Sequence, residues 1–294
     1  VKHAAFGRDQ AQNGEEKRMT RPPIVIIGAA RSGTSFLRDL LAQAPGLSAV
    51  PYDVNYIWRY GRSHSGDDAL LPDNLTSEQK LFIQSKLSKL AKTGKEGRLL
   101  EKTVSNTLRI GFVDKVFPDA KFIYLERDGR NATASSMRQW QAKPNWAHWR
   151  RKLSSLPIGS LSYTYWAAKN LALGRGRARI WGPRYPGIEG DLGNLSQVEV
   201  CAKQWLICCQ MARAGLSNLA PERVFHISFE ALMQSSAPLE NLLKWAQLDA
   251  GEPVLRAYAE RVHKPEKYFD QLSAQDRTKI DQQLSHFLVD HGYT

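Results

Sequence analysis

Acidic residues are missing from a long part of this chain. Between Gly129 and Ile188 there are eleven lysines or arginines and no aspartate or glutamate. That segment nearly accounts for the net charge of +12. A basic surface concentrates anions near it, so the gap in acids predicts an anionic ligand. Cysteine is scarce as well. The 294 residues include three, Cys201, Cys208 and Cys209, all in one short segment. An odd number with two adjacent argues against a disulfide framework, and the spacing fits no zinc pattern. They read as core thiols on a helix in a reducing compartment. No stretch reaches the ~18 consecutive apolar residues of a membrane span. Residues 1–22 are polar and lack the apolar core of a signal peptide. The expectation is a flexible arm over 1–22, a cytoplasmic location and no metal.

What is present is an alternation of strands and helices. "IVII" after Pro23 is a short apolar run that suits a strand buried on both faces. Phe36, Leu37, Leu40 and Leu41 then recur at helical spacing, and Ala44-Pro45-Gly46 stops the helix. "LSAVP" (47–51), "RLLEKT" (98–103), "AKFIYLER" (120–127) and "RVFHISFE" (223–230) read as further strands. Residues 76–92, with Leu81, Ile83, Leu87 and Leu90, predict an amphipathic helix. Helices are also expected over 104–118, from 131 onwards, and through most of the tail after Pro238. Such alternation predicts a parallel sheet covered on both faces. One domain is expected over 23–294, with a basic, Trp-rich cap around 141–200.

"GAARSGTS" (28–35) nearly spells the phosphate loop G-x-x-x-x-G-K-[ST]. Thr34 stands where the lysine belongs, and Arg31 brings a cation three residues earlier. In nucleoside triphosphatases that lysine reaches the β- and γ-phosphates. Its loss argues against a γ-phosphate. A glycine-rich turn feeding a helix N-terminus still makes an anion site. Gly28 and Gly33 permit close backbone approach, and Ser32, Thr34 and Ser35 supply hydroxyl donors. A second cluster, "YLERDGRNATASS" (124–136), has Arg127 at a strand end and Ser135 eight residues on, so both can face one phosphate.

These two motifs, in this order, resemble the sulfotransferases that use 3′-phosphoadenosine 5′-phosphosulfate (PAPS). The likeness runs through about residues 23–140 and returns loosely at "HISFE". It implies a three-layer α/β fold like that of the phosphate-loop NTPases, with a central parallel sheet flanked by helices. It implies PAPS as sulfonate donor and PAP as product. Arg31, Ser32, Gly33, Thr34 and Ser35 would hold the 5′-phosphosulfate, and Arg127 and Ser135 the 3′-phosphate. Lys264, in "VHKPEKY" (262–268), would add a cation to that phosphate, as a basic C-terminal loop does in the family.

The resemblance also assigns the chemistry. Lys102, in "EKT" (101–103), matches a family lysine near the transferred group, and with Arg31 would stabilise charge on the leaving phosphate. Phenol and steroid sulfotransferases have a histidine two residues after that lysine. Here Val104 occupies the position and cannot accept a proton. Carbohydrate and tyrosylprotein enzymes use a glutamate after the loop helix, and "PGLSAVPYDVNYIW" (45–58) is similar, with Asp53 in that place. Asp53 is therefore the expected general base. Glu101 is the runner-up, on a strand position that faces away from Lys102.

Tryptophan is concentrated in the acid-free segment, at Trp140, Trp146, Trp149, Trp166 and Trp181. Trp with Arg suits sugar faces and anionic groups. "RYGRSH" (59–64) and "WGPRYPG" (181–187) add basic and aromatic character. The acceptor expected is a glycan or other anionic polyhydroxyl. One rival is a kinase-like phosphotransferase using Asp128 for Mg²⁺, and it lacks the loop lysine. The other is a non-enzymatic nucleic-acid-binding protein using the basic segment, and it lacks a recognition motif.

Overall fold

The computed structural model describes residues 21–62, 66–94, 97–141, 181–248, 251–264 and 266–293. The expected arm up to residue 20, and the part of the expected cap from 142 to 180 with Trp146, Trp149 and Trp166, lie outside the described residues.

Five strands make one sheet in the order β2-β3-β1-β4-β5. They are β1 (Ile24–Ile27), β2 (Leu47–Ala49), β3 (Arg98–Glu101), β4 (Lys121–Glu126) and β5 (Val224–Ser228). Every neighbouring pair is parallel. Side chains alternate between the faces, as the strand period requires. Val25, Ile27, Leu99, Phe122 and Tyr124 enter one apolar cluster. Ile24, Ile26, Leu100, Ile123 and Leu125 enter the other. Both faces are covered by apolar clusters, so the central strands read as unbroken apolar runs.

Helices α1 (Thr34–Leu41), α2 (Asn55–Trp58), α3 (Ser77–Ala91), α4 (Ile110–Val116) and α5 (Gly129–Gln141) fall within the first half of the chain. Helices Gln197–Leu216, Ala237–Ala246, Gly251–Arg261 and Ala274–Asp290 dominate the rest. The face under Ile24 is covered by α1, Ala237–Ala246 and Gly251–Arg261. The face under Val25 is covered by α2, α3, α4 and one end of Gln197–Leu216. A third cluster joins Gln197–Leu216 to Ala274–Asp290. No described helix is long and apolar enough to cross a membrane.

Two expectations need correction. The helix over 104–118 is broken into a 3-10 turn, Val104–Leu108, and α4. The break is at Arg109, with φ −154° and ψ 41°. This conformation turns the guanidinium inward to Asn106, Asn55 and the Asp68 carbonyl. On α3, Leu81 is exposed while Ile83 and Leu87 are buried. Positions two apart lie on different helix faces, so the four leucine and isoleucine positions never shared one stripe. The cysteines are as expected: Cys201, Cys208 and Cys209 are free and buried on Gln197–Leu216. Burial pushes the Cys201 and Cys208 thiols up to about 12, so neither is a ready nucleophile.

Gly215 marks where that helix meets α4. A Cβ there would fall 2.5 Å from the Ile110 Cβ. In an open helix Gly→Ala gains about 1 kcal/mol. Overpacking of about 1–3 kcal/mol outweighs that gain here. Gly215→Ala should therefore lower the midpoint of thermal unfolding by several degrees, measured by calorimetry, whereas a rise would show that the two helices have room to part.

Candidate active site

The parallel register sets the site. Val25 of β1 pairs with Glu101 of β3, so Lys102 emerges level with Ile26, two residues before the loop that begins at Gly28. Ile27 pairs with Tyr124 of β4, so Arg127 emerges level with Ala30. From β1 the chain crosses to β2 on one side, and from β4 it goes to β5 on the other. The carboxyl edge at such a reversal is where open α/β sheets bind ligands.

The loop is tightly made. Gly28 packs so closely that a Cβ would lie 2.6 Å from the Leu125 carbonyl oxygen. Gly33 has φ +88°, and a Cβ there would enter the Phe229 ring. Arg31 is not glycine yet sits at φ 66°, a conformation that needs outside support. Two bonds provide it. Arg127 donates from an NH to the Arg31 carbonyl at 2.9 Å. Arg31 donates from Nε to Ser135 Oγ at 2.9 Å. The Arg127 guanidinium lies 4.5 Å over the Phe229 ring. Burial, opposed by Glu230 and reinforced by Arg31, holds Arg127 below its ordinary arginine value. The Arg31 charge weighs against a second cation at Arg127, and an anion near both would relieve this.

The donors around the loop fit a phosphate. No side chain caps α1 and its first turn has no acid, so its N–H groups and dipole are left for a ligand. Ser32 is buried, and its Oγ has no hydrogen-bond partner among the described residues. Thr34 is buried and Ser35 exposed. An orphaned buried hydroxyl is costly, and an oxygen-rich ligand above the loop would satisfy it.

Lys102 and Asp53 meet at the end of β3. Lys102 Nζ donates to Asp53 Oδ2 at 2.7 Å, and the Val104 N–H donates to Asp53 Oδ1 at 2.8 Å. The lysine side chain is 2% exposed and the aspartate 46%. A buried ammonium requires more than one acceptor. Among the described residues Asp53 is the acceptor it has. Lys102 is thus no solvated strand-end lysine.

Glu101 points the other way, as expected. It is fully buried and accepts from Trp58 Nε1 (3.2 Å), Thr103 Oγ1 (2.6 Å) and Asn106 Nδ2 (2.9 Å). Enclosed by these donors, it has no path to a substrate and is not a base. Asn106 in turn accepts from Arg109, and Arg109 donates to Asn55. Asn55, Arg59, Ser105 and the Arg184 N–H all donate to buried Asp68. This chain ties the irregular 181–185 segment to the Asp53 side of the site. Trp181 contributes its carbonyl to Gln204 there.

The cluster around Ser135 is less complete. Ser135 lies on α5 and meets Arg31, but Lys264 is exposed and, among the described residues, makes no hydrogen bond or ion pair with the loop. Its neighbourhood does reach α5: the Phe269 N–H donates to Asn131, and Arg138 lies 4.7 Å over the Tyr268 ring. Phe229, Thr103, Arg138 and Tyr268 escaped sequence reasoning. The segments "HISFE", "EKT" and "VHKPEKY" contain Phe229, Thr103 and Tyr268 but gave none of them a role.

The two buried carboxylates carry opposite pH signatures. Burial pushes Glu101 from 4.5 up to about 7; its hydrogen bonds and Arg109 oppose this, and Asp53 adds to it. Burial also works against charge at Asp68, but Arg109 and the Arg184, Asn55 and Arg59 donors hold it below its ordinary value. Between pH 4.5 and 7 the folded state holds the Glu101 proton more firmly than the unfolded chain, so this contribution to stability shrinks as pH rises. The Asp68 contribution is lost only in acid. In denaturant titrations, the stability difference between wild type and Glu101→Gln should shift toward the variant as pH climbs through that window. A pH-independent difference would show that Glu101 does not titrate there.

Residues 22–185 match a family model described as "Sulfotransferase family". A comparison with curated protein sequences gives no match. Among solved structures, the fold is similar to the sulfotransferase domain from the curacin biosynthetic pathway, at 17% identity and a TM-score of 0.52, over 93% of this chain and 99% of that one. It is also similar to sulfotransferase STF9 from Mycobacterium avium, at 15% identity and a TM-score of 0.53, over 92% of this chain and 76% of that one. With the sheet order, the lysine-free phosphate loop and a family match that covers more than half its length, the chain belongs to the sulfotransferase family.

Proposed function

We propose that this protein transfers the sulfonate of PAPS to a hydroxyl of a glycan or other polyhydroxyl acceptor, with Asp53 as general base. The observation that carries this reading is the 2.7 Å pair between buried Lys102 and half-exposed Asp53, beside an uncapped phosphate loop. PAPS supplies an activated sulfonate on a good leaving group, the 5′-phosphate of PAP.

Each residue then has a task. The α1 amides, Ser32, Thr34 and Ser35 take the 5′-phosphate. Arg127 and Ser135 take the 3′-phosphate, and Arg31, already bonded to Ser135, lies between the two anionic ends. Lys264 joins from the 262–268 segment. Gly33, at positive φ and packed against Phe229, gives the loop the turn that presents its amides. Asp53 accepts the acceptor's hydroxyl proton as the new O–S bond forms and the S–O bond to the 5′-phosphate breaks. Its oxygens each keep a second lone pair, and its exposed side admits a hydroxyl. Lys102 moves its charge toward the bridging oxygen as that oxygen becomes negative. The proton ends on Asp53, and PAP leaves with the S–O electron pair. Val104, in the position of the phenol enzymes' histidine, offers no base. The acid-free segment and the tethered 181–187 loop support an anionic, hydroxyl-rich acceptor.

Arg127→Ala should weaken PAP binding about 30-fold or more, read by calorimetry, because a buried charged partner is lost. Asp53→Asn should leave PAP affinity within about twofold yet lower kcat about 100-fold or more with labelled PAPS and a polysaccharide acceptor. Near-normal turnover by Asp53→Asn would remove Asp53 as base. Turnover of Mg²⁺-ATP in place of PAPS would favour the phosphotransferase alternative.

A further inference from the structure

The Asp53 carboxylate stands on a loop with no regular structure from Val50 to Val54, yet it must hold its place against an acceptor. Its own two bonds go to Lys102 and the Val104 N–H. Lys102 is expected to turn toward the leaving oxygen during the reaction, which removes one of them. Something else must keep the loop fixed.

The next residue supplies it. The Val54 N–H donates to Thr103 Oγ1 at 3.2 Å. The same Thr103 hydroxyl donates to Glu101 Oε1 at 2.6 Å. A hydroxyl has one proton and two lone pairs, so it can do both at once. Thr103 is 1% exposed and Val54 and Glu101 are fully buried. Glu101 is itself held by Trp58 and Asn106, and Asn106 by Arg109. A chain of this kind is rigid because every member has its partner.

We infer that Thr103, anchored on buried Glu101, is the positioning residue that fixes the Val54 amide and so aims Asp53 at the acceptor hydroxyl. The inference rests on Asp53 being the base. Thr103 touches neither substrate nor donor in this account. It explains why a fully buried carboxylate lies directly beside Lys102: Glu101 orients the threonine that holds the loop facing that lysine. A misplacement of the reacting group by ~1 Å can lower the rate by ~100-fold, so the effect falls on turnover more than on binding.

The experiment compares Thr103→Val with Thr103→Ser, each alone and combined with Asp53→Asn, using labelled PAPS and a polysaccharide acceptor. Thr103→Val should lower kcat by about 10- to 100-fold while PAP affinity by calorimetry stays within about twofold. Thr103→Ser, which keeps the hydroxyl, should recover most of the rate. In the Asp53→Asn background, Thr103→Val should cause no further loss, since there is no base left to aim. Equal damage from Ser and Val, or an additive loss in the double variant, would overturn the relay. Hydrogen exchange at the Val54 amide gives a readout independent of chemistry. It should be slow in wild type and Thr103→Ser and fast in Thr103→Val. If Asp53→Asn stays active, the base assignment fails on its own. Slow exchange at Val54 in the valine variant would sink the relay separately. Should Thr103→Val not fold, Thr103→Ala replaces it with the same expected outcomes.

Discussion

Parallel pairing around β1 is the constraint on which this molecule depends. A parallel strand cannot be followed by a hairpin to its neighbour; the chain must cross over and start again from the same edge. The carboxyl ends of β3, β1 and β4 therefore lie side by side. Three segments distant in sequence, Lys102, Gly28–Ser35 and Arg127, arrive at one edge within a few residues of level. No side chain needs to be long to bring these cations together. The sheet does it, and the reversal of strand order between β1 and β4 leaves the crevice open.

The concentration of positive charge at that edge is unfavourable without a ligand. Arg31 and Arg127 touch through a backbone carbonyl, and Lys102 is buried against one carboxylate. The protein tolerates this because each group is tied to something fixed. Arg127 lies on Phe229 and holds Arg31; Arg31 holds Ser135; Lys102 holds Asp53. The left-handed backbone of Arg31 follows from the same arrangement. Arg31 and Arg127, held in place beforehand, need no rearrangement to meet an anion, and that is how electrostatic catalysis gains over water.

The readable parts of the sequence were those set by local rules. Apolar runs gave β1 and β4, since a strand buried on both faces has no polar positions to confuse it. Glycine spacing gave the loop, because Gly28 and Gly33 are required by close contact and by positive φ. The expected placing of Arg127 at a strand end and Ser135 on the following helix agrees with the structure. The hidden parts depend on contacts between remote segments. Nothing near Arg109 announces that it will turn inward and break a helix, because its partners Asn55 and Asp68 are more than forty residues away. Leu81 fits the composition of a buried stripe but lies off the face that Ile83 and Leu87 define. Arg31 was expected to serve the loop alone, and its bond to Ser135 also ties it to α5.

Buried polar groups beside the site carry a further meaning. Glu101, Asn106, Arg109, Asn55 and Asp68 would be replaced by apolar residues at little loss if stability were all that mattered. They are instead joined into one line from β3 to the 181–185 segment. Hydrogen bonds have direction and apolar contacts do not. A core of leucines would hold α2 against β3 but let it slide, whereas the Asn55–Arg109 and Thr103–Val54 bonds hold one register. Asp53 directly precedes both anchored residues in sequence, one residue before Val54 and two before Asn55. A half-exposed carboxylate on an irregular loop thereby acquires the rigidity of the sheet behind it, and a reaction that depends on in-line geometry requires that rigidity.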